Sequence, residues 1–226
     1  MDNILQFPPK THCGKPVPKA EFYRHLDVNT KMKQRFVEDV SSITWLYTLS
    51  PSTLNVQDGT EVHEVVVFLV DLKVKDCPND VFLFIDKNMP RHVVFLLQYG
   101  DEYRFLLNYK ERLDHSAVTF RIVKTFLSEW MNGDRLNLPI EGQSMDKVYE
   151  AFAGYVSGYG TKSNEDIKRM VELEKQIGQK TRIADALQKK VGLEKQVNRQ
   201  LEMNAEAKAI KSEIASLNNE LKELKK

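Results

Sequence analysis

The C-terminal segment, Ser163 to Lys226, carries the feature that most constrains this chain, an apolar stripe with heptad spacing. The segment has no proline and no aromatic residue and consists mainly of good helix formers. Apolar residues spaced three and four apart are typical of positions a and d of a coiled coil. We predict that another helix covers this partner-binding stripe, which includes Met170, Leu173, Ile177, Leu187, Val191, Leu201, Met203, Ile210, Ile214, Leu217, Leu221 and Leu224.

Two arrangements of this coiled-coil tail, residues 161–226, fit the heptads. The series that ends at Val191 and the series that begins at Leu193 are offset by two residues at Gly192. A basic turn followed by glycine is a common helix end, which indicates an antiparallel hairpin broken near Gly192. A single glycine is short for a helix–helix connection, so we favour one long helix whose halves meet different partners. Self-association into a homo-oligomer stays open.

Residues 1–160 predict a globular α+β domain. The run from 65 to 70 is continuously apolar and mostly β-branched, which indicates a central strand covered on both faces. Two further strands, 92–99 and 103–110, flank the turn signal Gly100-Asp101-Glu102. We expect a mostly antiparallel sheet with flanking helices, and we place those helices on one face of the sheet.

Composition narrows the functional classes. The net charge of +1 gives no bulk indication of nucleic-acid binding. Cys13 and Cys77 lack CxxC spacing, so we expect reduced thiols in a cytoplasmic protein. No apolar run approaches the roughly 20 residues that span a bilayer, and the N-terminus lacks an apolar signal block. We therefore expect a soluble protein with no membrane association.

Common metal and phosphate motifs are also missing from the sequence. The five histidines show no HxxxH or HExxH spacing, and His12 beside Cys13 would need distant ligands to hold a metal. The last of the glycines at 154, 158 and 160 is not directly followed by a lysine, so these glycines predict a hinge rather than a phosphate-binding loop. We predict no cofactor and no metal site.

The strongest enzymatic candidate is the tripeptide Asp71-Leu72-Lys73 at the end of the apolar strand. With Asp58 upstream, it has the layout of metal-dependent nucleases, in which acids hold Mg²⁺ and a lysine helps to activate water. The simpler interpretation is that these charges mark the point where the strand reaches water. Catalysis by Asp58, Asp71 and Lys73 is therefore the weaker alternative.

A basic stretch between residues 10 and 35 suggests a second alternative. Its seven basic residues are opposed only by Glu21 and Asp27. Such a cluster can contact phosphates, although solvated helix faces explain most clusters of this kind. The candidate phosphate contacts are Lys10, Lys15, Lys19, Arg24, Lys31, Lys33 and Arg35.

Several short motifs occur in the order found in a known family. They are Pro18-Lys19, Phe22-Tyr23, Ile43-Thr44-Trp45, Pro51 to Asn55, Ile85 to Pro90, Val93 to Leu97, Tyr109-Lys110 and Glu194 to Asn204. Together they resemble an uncharacterised prokaryotic family known only as a domain of unknown function. The resemblance covers nearly the whole chain and supplies no catalytic residues. It implies genes beside helicases and DNA methyltransferases of restriction or phage-defence clusters, and hence a helicase or methyltransferase subunit as partner.

Taken together, these features favour a non-catalytic function. We expect an adaptor or assembly subunit of a DNA-processing or phage-defence complex that binds protein partners through its coiled coil. A Mg-dependent nuclease centred on Asp71 and Lys73 and a nucleic-acid-binding module are the alternatives.

Overall fold

The computed structural model describes residues 4–112, 120–160 and 163–225. The chain divides into two compact units, residues 1–162 and residues 163–226. We call the first unit the body and the second the tail. The described strands all lie in the body, and the two longest helices form the tail.

The described part of the body forms one seven-stranded sheet. Its strands are β1 (His12–Pro16), β2 (Val40–Leu49), β3 (Val65–Leu72), β4 (His92–Tyr99), β5 (Glu102–Arg112), β6 (Phe120–Leu127) and β7 (Met131–Asn132). The order is β1-β2-β3-β4-β5-β6, and β7 pairs with β5. Only the β3–β4 pair is parallel among these strands, which confirms the predicted α+β class with a mostly antiparallel sheet.

Five helices accompany the described sheet, namely α1 (Lys19–His25), α2 (Thr30–Asp39), α3 (Pro51–Leu54), α4 (Asp80–Lys87) and α5 (Met145–Ser157). Helix α4 connects β3 to β4, and a crossover of this kind is what allows the two strands to run parallel. The Asn29 side chain accepts a 2.8 Å hydrogen bond from the Met32 N–H, so Asn29 is the N-cap of α2.

The helices lie on both faces of the sheet, so the prediction that they share one face is wrong. Apolar residues of α1, α2 and α4 pack with Val66, Phe68 and Val70 of β3. The opposite face receives α5, whose Tyr155 ring lies 6.1 Å from Phe105 of β5. Because β3 is buried on both sides, its continuous apolar run serves two cores at once.

The tail is an antiparallel hairpin of α6 (Asn164–Leu193) and α7 (Val197–Leu224). Helix α6 begins with a capping box in which Ser163 and Asp166 exchange hydrogen bonds. Polar contacts between the two helices fix their direction. They join Arg169 to Glu220, Glu174 to Lys225, Lys180 to Glu213 and Gln188 to Lys211.

Both heptad seams face inward in this hairpin. Every a and d position, from Met170 to Glu194 and from Gln200 to Leu224, is buried or half-buried. The two alanines at these positions, Ala184 and Ala207, are each 3% exposed.

The preference for one long helix is wrong, because the chain reverses and the helix that covers the stripe belongs to the same chain. The backbone leaves the helix at Glu194, not at Gly192, which lies inside α6. The Glu194 carboxylate accepts hydrogen bonds from the N–H groups of Lys195 and Gln196, at 2.8 and 2.9 Å. This side chain satisfies the backbone at the turn, so a three-residue connection is enough to reverse the chain.

Ala207→Glu should destabilise the tail, because residue 207 is 3% exposed in the seam. Burying an unpaired carboxylate there should cost about 2 kcal/mol. Hydrogen exchange of peptides from α6 and α7 should then accelerate roughly thirty-fold. Ala205→Glu, at an exposed position of the same helix, is the control and should leave exchange unchanged. Equal exchange rates in both variants would contradict the closed seam.

Candidate functional site

The acids of the predicted nuclease site lie at opposite ends of β3. Asp71 is near the end of this strand, and the Lys73 ammonium donates a 2.8 Å hydrogen bond to the carbonyl of Val37. Asp58 lies before the start of β3 instead. Its carboxylate contacts the ring of His63 at 3.0 Å, and His63 is two residues before the first residue of β3. The strand from residue 65 to residue 71 spans roughly 20 Å. The structure therefore does not bring Asp58 and Asp71 together, and no metal-ligand cluster occurs among the described residues.

The basic residues of the N-terminal region are partly engaged within the body. Arg24 pairs with Glu21 at 2.9 Å, and Arg35 lies 3.8 Å from Asp39. The Lys19 ammonium donates to a backbone carbonyl of β2, and its burial and the charge of Lys73 lower its pKa. Each of these three cations therefore has a partner within the body. The remaining candidates, Lys10, Lys15, Lys31 and Lys33, are exposed and spread over a 3-10 turn, β1 and α2.

The two cysteines, Cys13 and Cys77, are free thiols. Cys77 is half-buried against the apolar core, and burial together with the charge of Asp39 raises its pKa to about 11. A thiol of this kind stays protonated at neutral pH and reacts slowly. Cys13 contacts the Thr48 hydroxyl at 3.2 Å.

A buried ion pair joins Asp86 of α4 to Lys110 of β5 inside the body. Both side chains have no solvent exposure, and their charged atoms are 2.5 Å apart. The Lys110 ammonium also donates to the carbonyl oxygens of Asp86 and Arg91, at 2.9 and 2.7 Å. Lys110 thus ties the end of α4, and the chain that follows it, to the sheet.

Other polar groups surround this buried ion pair. The Tyr149 hydroxyl of α5 donates to the Asn108 carbonyl at 3.1 Å, and the Thr125 hydroxyl donates to the Asn108 amide oxygen at 2.7 Å. Burial raises the pKa of Asp86 to about 6, although Lys110 partly offsets this effect. Burial also lowers the pKa of Lys110. Because no charged atom of the pair reaches solvent, we assign the pair to the architecture of the body.

The sequence interpretation missed this pair. Its only signals are one aspartate within the apolar helix sequence of α4 and one lysine at the end of the apolar part of β5. Neither signal indicates which residue is the partner. Their meeting depends on how the crossover helix packs over the sheet, which spacing along the chain does not encode.

Three large apolar side chains are exposed at the closed end of the hairpin, by which we mean residues 189–201 around the turn. Leu193 is 82% exposed, Val197 is 66% exposed and Leu201 is 62% exposed. All three lie outside the a and d positions. Leu193 and Leu201 were assigned to the seam from the sequence, and the structure places both on the outside. The other predicted seam residues are buried or half-buried within the hairpin.

The hairpin helices are long but carry many charges. Helix α6 extends about 45 Å and α7 about 42 Å. In the described part of the chain, no helix is both long and apolar enough to cross a membrane.

The chain matches a known protein family. A family model described as Domain of unknown function (DUF4391) matches residues 5–214, which include most of the body and most of the tail. No curated protein and no solved structure matches the chain.

Lys110→Met should destabilise the body strongly, because it leaves the Asp86 carboxylate buried without a counter-charge. Breaking such a pair from one side typically costs about 3–5 kcal/mol. Urea denaturation followed by tryptophan fluorescence measures this loss. Lys87→Met is the matched control, since Lys87 is exposed on α4. The control should change the free energy of unfolding by less than about 0.5 kcal/mol.

The pH dependence of stability should also report Asp86. The folded pKa of about 6 lies above the ordinary value of 3.8, so the folded chain binds more protons between these two values. The contribution of Asp86 is therefore largest below about pH 4 and is lost as the pH rises through 6, by about 3 kcal/mol. The free energy of unfolding of the native protein minus that of Asp86→Asn should fall over this range. A constant difference would show that the carboxyl titrates normally.

Proposed function

The chain belongs to the DUF4391 family, a domain of unknown function, and from this premise we propose that it is a non-catalytic assembly subunit. It binds a partner protein through the closed end of its hairpin. The larger assembly we propose is a DNA-processing or phage-defence complex, with a helicase or methyltransferase subunit as the partner. That last step rests on the gene neighbourhood that the family resemblance implies.

The observation that supports this function is the contrast between the seam and the closed end. The a and d residues are covered by the chain itself, so they offer little surface to another molecule. Leu193, Val197 and Leu201 are uncovered within a short stretch around the turn. Exposed apolar residues that occur close together commonly mark a protein-binding surface. In protein–protein interfaces, a few residues generally supply most of the affinity.

The two alternative functions have less support. A nuclease needs its acids around one metal, whereas Asp58 and Asp71 lie at opposite ends of β3. Nucleic-acid binding by the N-terminal region would depend on the exposed lysines alone, because Lys19, Arg24 and Arg35 have partners in the body. The hairpin therefore offers the better-supported binding surface.

Replacing the three exposed residues together, as Leu193→Gln, Val197→Gln and Leu201→Gln, should reduce partner capture at least tenfold. Glutamine is a good helix former, so the hairpin should keep its fold. The full-length protein is purified with a tag from its native host, and co-purifying helicase and methyltransferase subunits are quantified by mass spectrometry. Circular dichroism should give the same helical content for both proteins.

Ile183→Gln is the matched control for this experiment. Ile183 is 50% exposed on α6, away from the turn, so its replacement removes apolar surface without touching the closed end. It should leave capture unchanged. If the triple variant captures its partners as well as the native protein does, the closed end is not the docking surface.

A further inference from the structure

The closed end of the hairpin combines its apolar surface with an excess of positive charge. Residues 189–201 contain four basic residues and one acidic residue, and Glu202 follows directly. The basic residues are all exposed, and none forms a salt bridge with another described residue. They are Lys189, Lys190, Lys195 and Arg199.

The single acidic residue within this stretch is turned toward its own backbone. The Glu194 carboxylate accepts hydrogen bonds from the N–H groups of Gln196 and Lys195, and these bonds lower its pKa. The backbone carbonyl oxygen of Glu194 also accepts a 2.6 Å hydrogen bond from the Gln200 side chain. Glu194 is therefore occupied in forming the turn, where the charge of Arg199 also helps to lower its pKa, and all four cations are exposed.

We infer that the closed end binds an acidic amphipathic helix of the partner protein, an inference that rests on the proposed function. Leu193, Val197 and Leu201 would contact the apolar face of that helix. Its acidic side chains would lie against the surrounding lysines and arginine. Complementary charge of this kind accelerates association and excludes wrong partners more than it adds affinity.

Charge complementarity favours this occupant over a second copy of the chain. Two closed ends brought together would place eight exposed cations in one interface, and like charges across an interface are strongly unfavourable. A membrane is also a poorer fit, because the tail lacks the aromatic side chains that usually anchor interfacial helices. Nucleic acid would satisfy the cations, but its phosphates would leave the three apolar side chains without a partner.

Site-specific photo-crosslinking identifies the occupant by its chemistry. The photoreactive residue p-benzoylphenylalanine replaces Asn198, which is exposed at the closed end, in the otherwise unchanged full chain. The same replacement at Ser212, exposed in the middle of α7, is the control position. After irradiation in the native host, mass spectrometry maps the crosslinked segment. We expect an acidic segment with apolar residues at helical spacing, crosslinked from position 198 and not from position 212.

Charge reversal then tests the electrostatic part. Lys189→Glu together with Lys190→Glu should reduce the crosslinking yield from position 198 about tenfold. Lys208→Glu together with Lys222→Glu changes the net charge equally at exposed sites elsewhere on α7, and should leave the yield unchanged. In the purified complex, raising the salt from 0.05 to 0.3 M should lower the yield several-fold, because exposed charges are screened.

The possible outcomes separate this inference from the proposed function. If the triple glutamine variant abolishes the crosslink while reversing Lys189 and Lys190 does not, the closed end docks a protein but the acidic partner is wrong. A crosslinked segment that is neutral or basic leads to the same conclusion. If crosslinks form only to lipid, to nucleic acid or to another copy of the chain, both the acidic helix and the docking of a partner protein are wrong.

Discussion

The pairing of two apolar seams within one chain is the interaction on which the tail depends. Helices α6 and α7 each carry many charges, so neither could bury its apolar residues alone. Paired with each other, they leave every a and d residue buried or half-buried. Salt bridges such as Arg169–Glu220 lie on the flanks and fix the register rather than supply much stability. Because the seams are already paired, a partner must draw its binding energy from residues outside them.

The body is organised around one strand, β3, which packs against an apolar core on each of its two faces. The alternating residues of β3 face α1, α2 and α4 on one side and the α5 side on the other, so the strand is apolar throughout. The Asp86–Lys110 pair then fixes the end of α4 to β5 of the sheet. A buried pair is weak evidence for stability, since its desolvation offsets its attraction. The contacts of the Lys110 ammonium with the Asp86 carboxylate and with the carbonyl oxygens of Asp86 and Arg91 instead define one position for the chain between α4 and β4, which we take to be the role of the pair.

Strand positions and heptads were readable from the sequence because they are local patterns. The predicted strand 92–99 coincides with β4, and the sequence signals for the α6–α7 seam hold for nearly all of the assigned residues. Leu193 was misassigned because the break was placed at Gly192, whereas α6 continues to Leu193. Leu201 lies between the seam positions Gln200 and Met203 of α7, outside the second series. The turn depends on hydrogen bonds of the Glu194 side chain, which no spacing rule contains. Likewise, Asp58 and Asp71 are close in sequence but separated by the length of β3.

The closed end is where the tail departs from the rules that otherwise describe it. Outside a and d, a soluble coiled coil is expected to carry polar residues, and most of α6 and α7 does so. Leu193, Val197 and Leu201 break this rule together, within two turns of helix around the reversal, and they contribute nothing to the seam. Exposed apolar residues carry an aggregation hazard. Where a sequence breaks a local rule without a structural gain, a functional site is the expected reason. For this chain, that reasoning places the functional site at the closed end of the hairpin rather than along the seam between its helices.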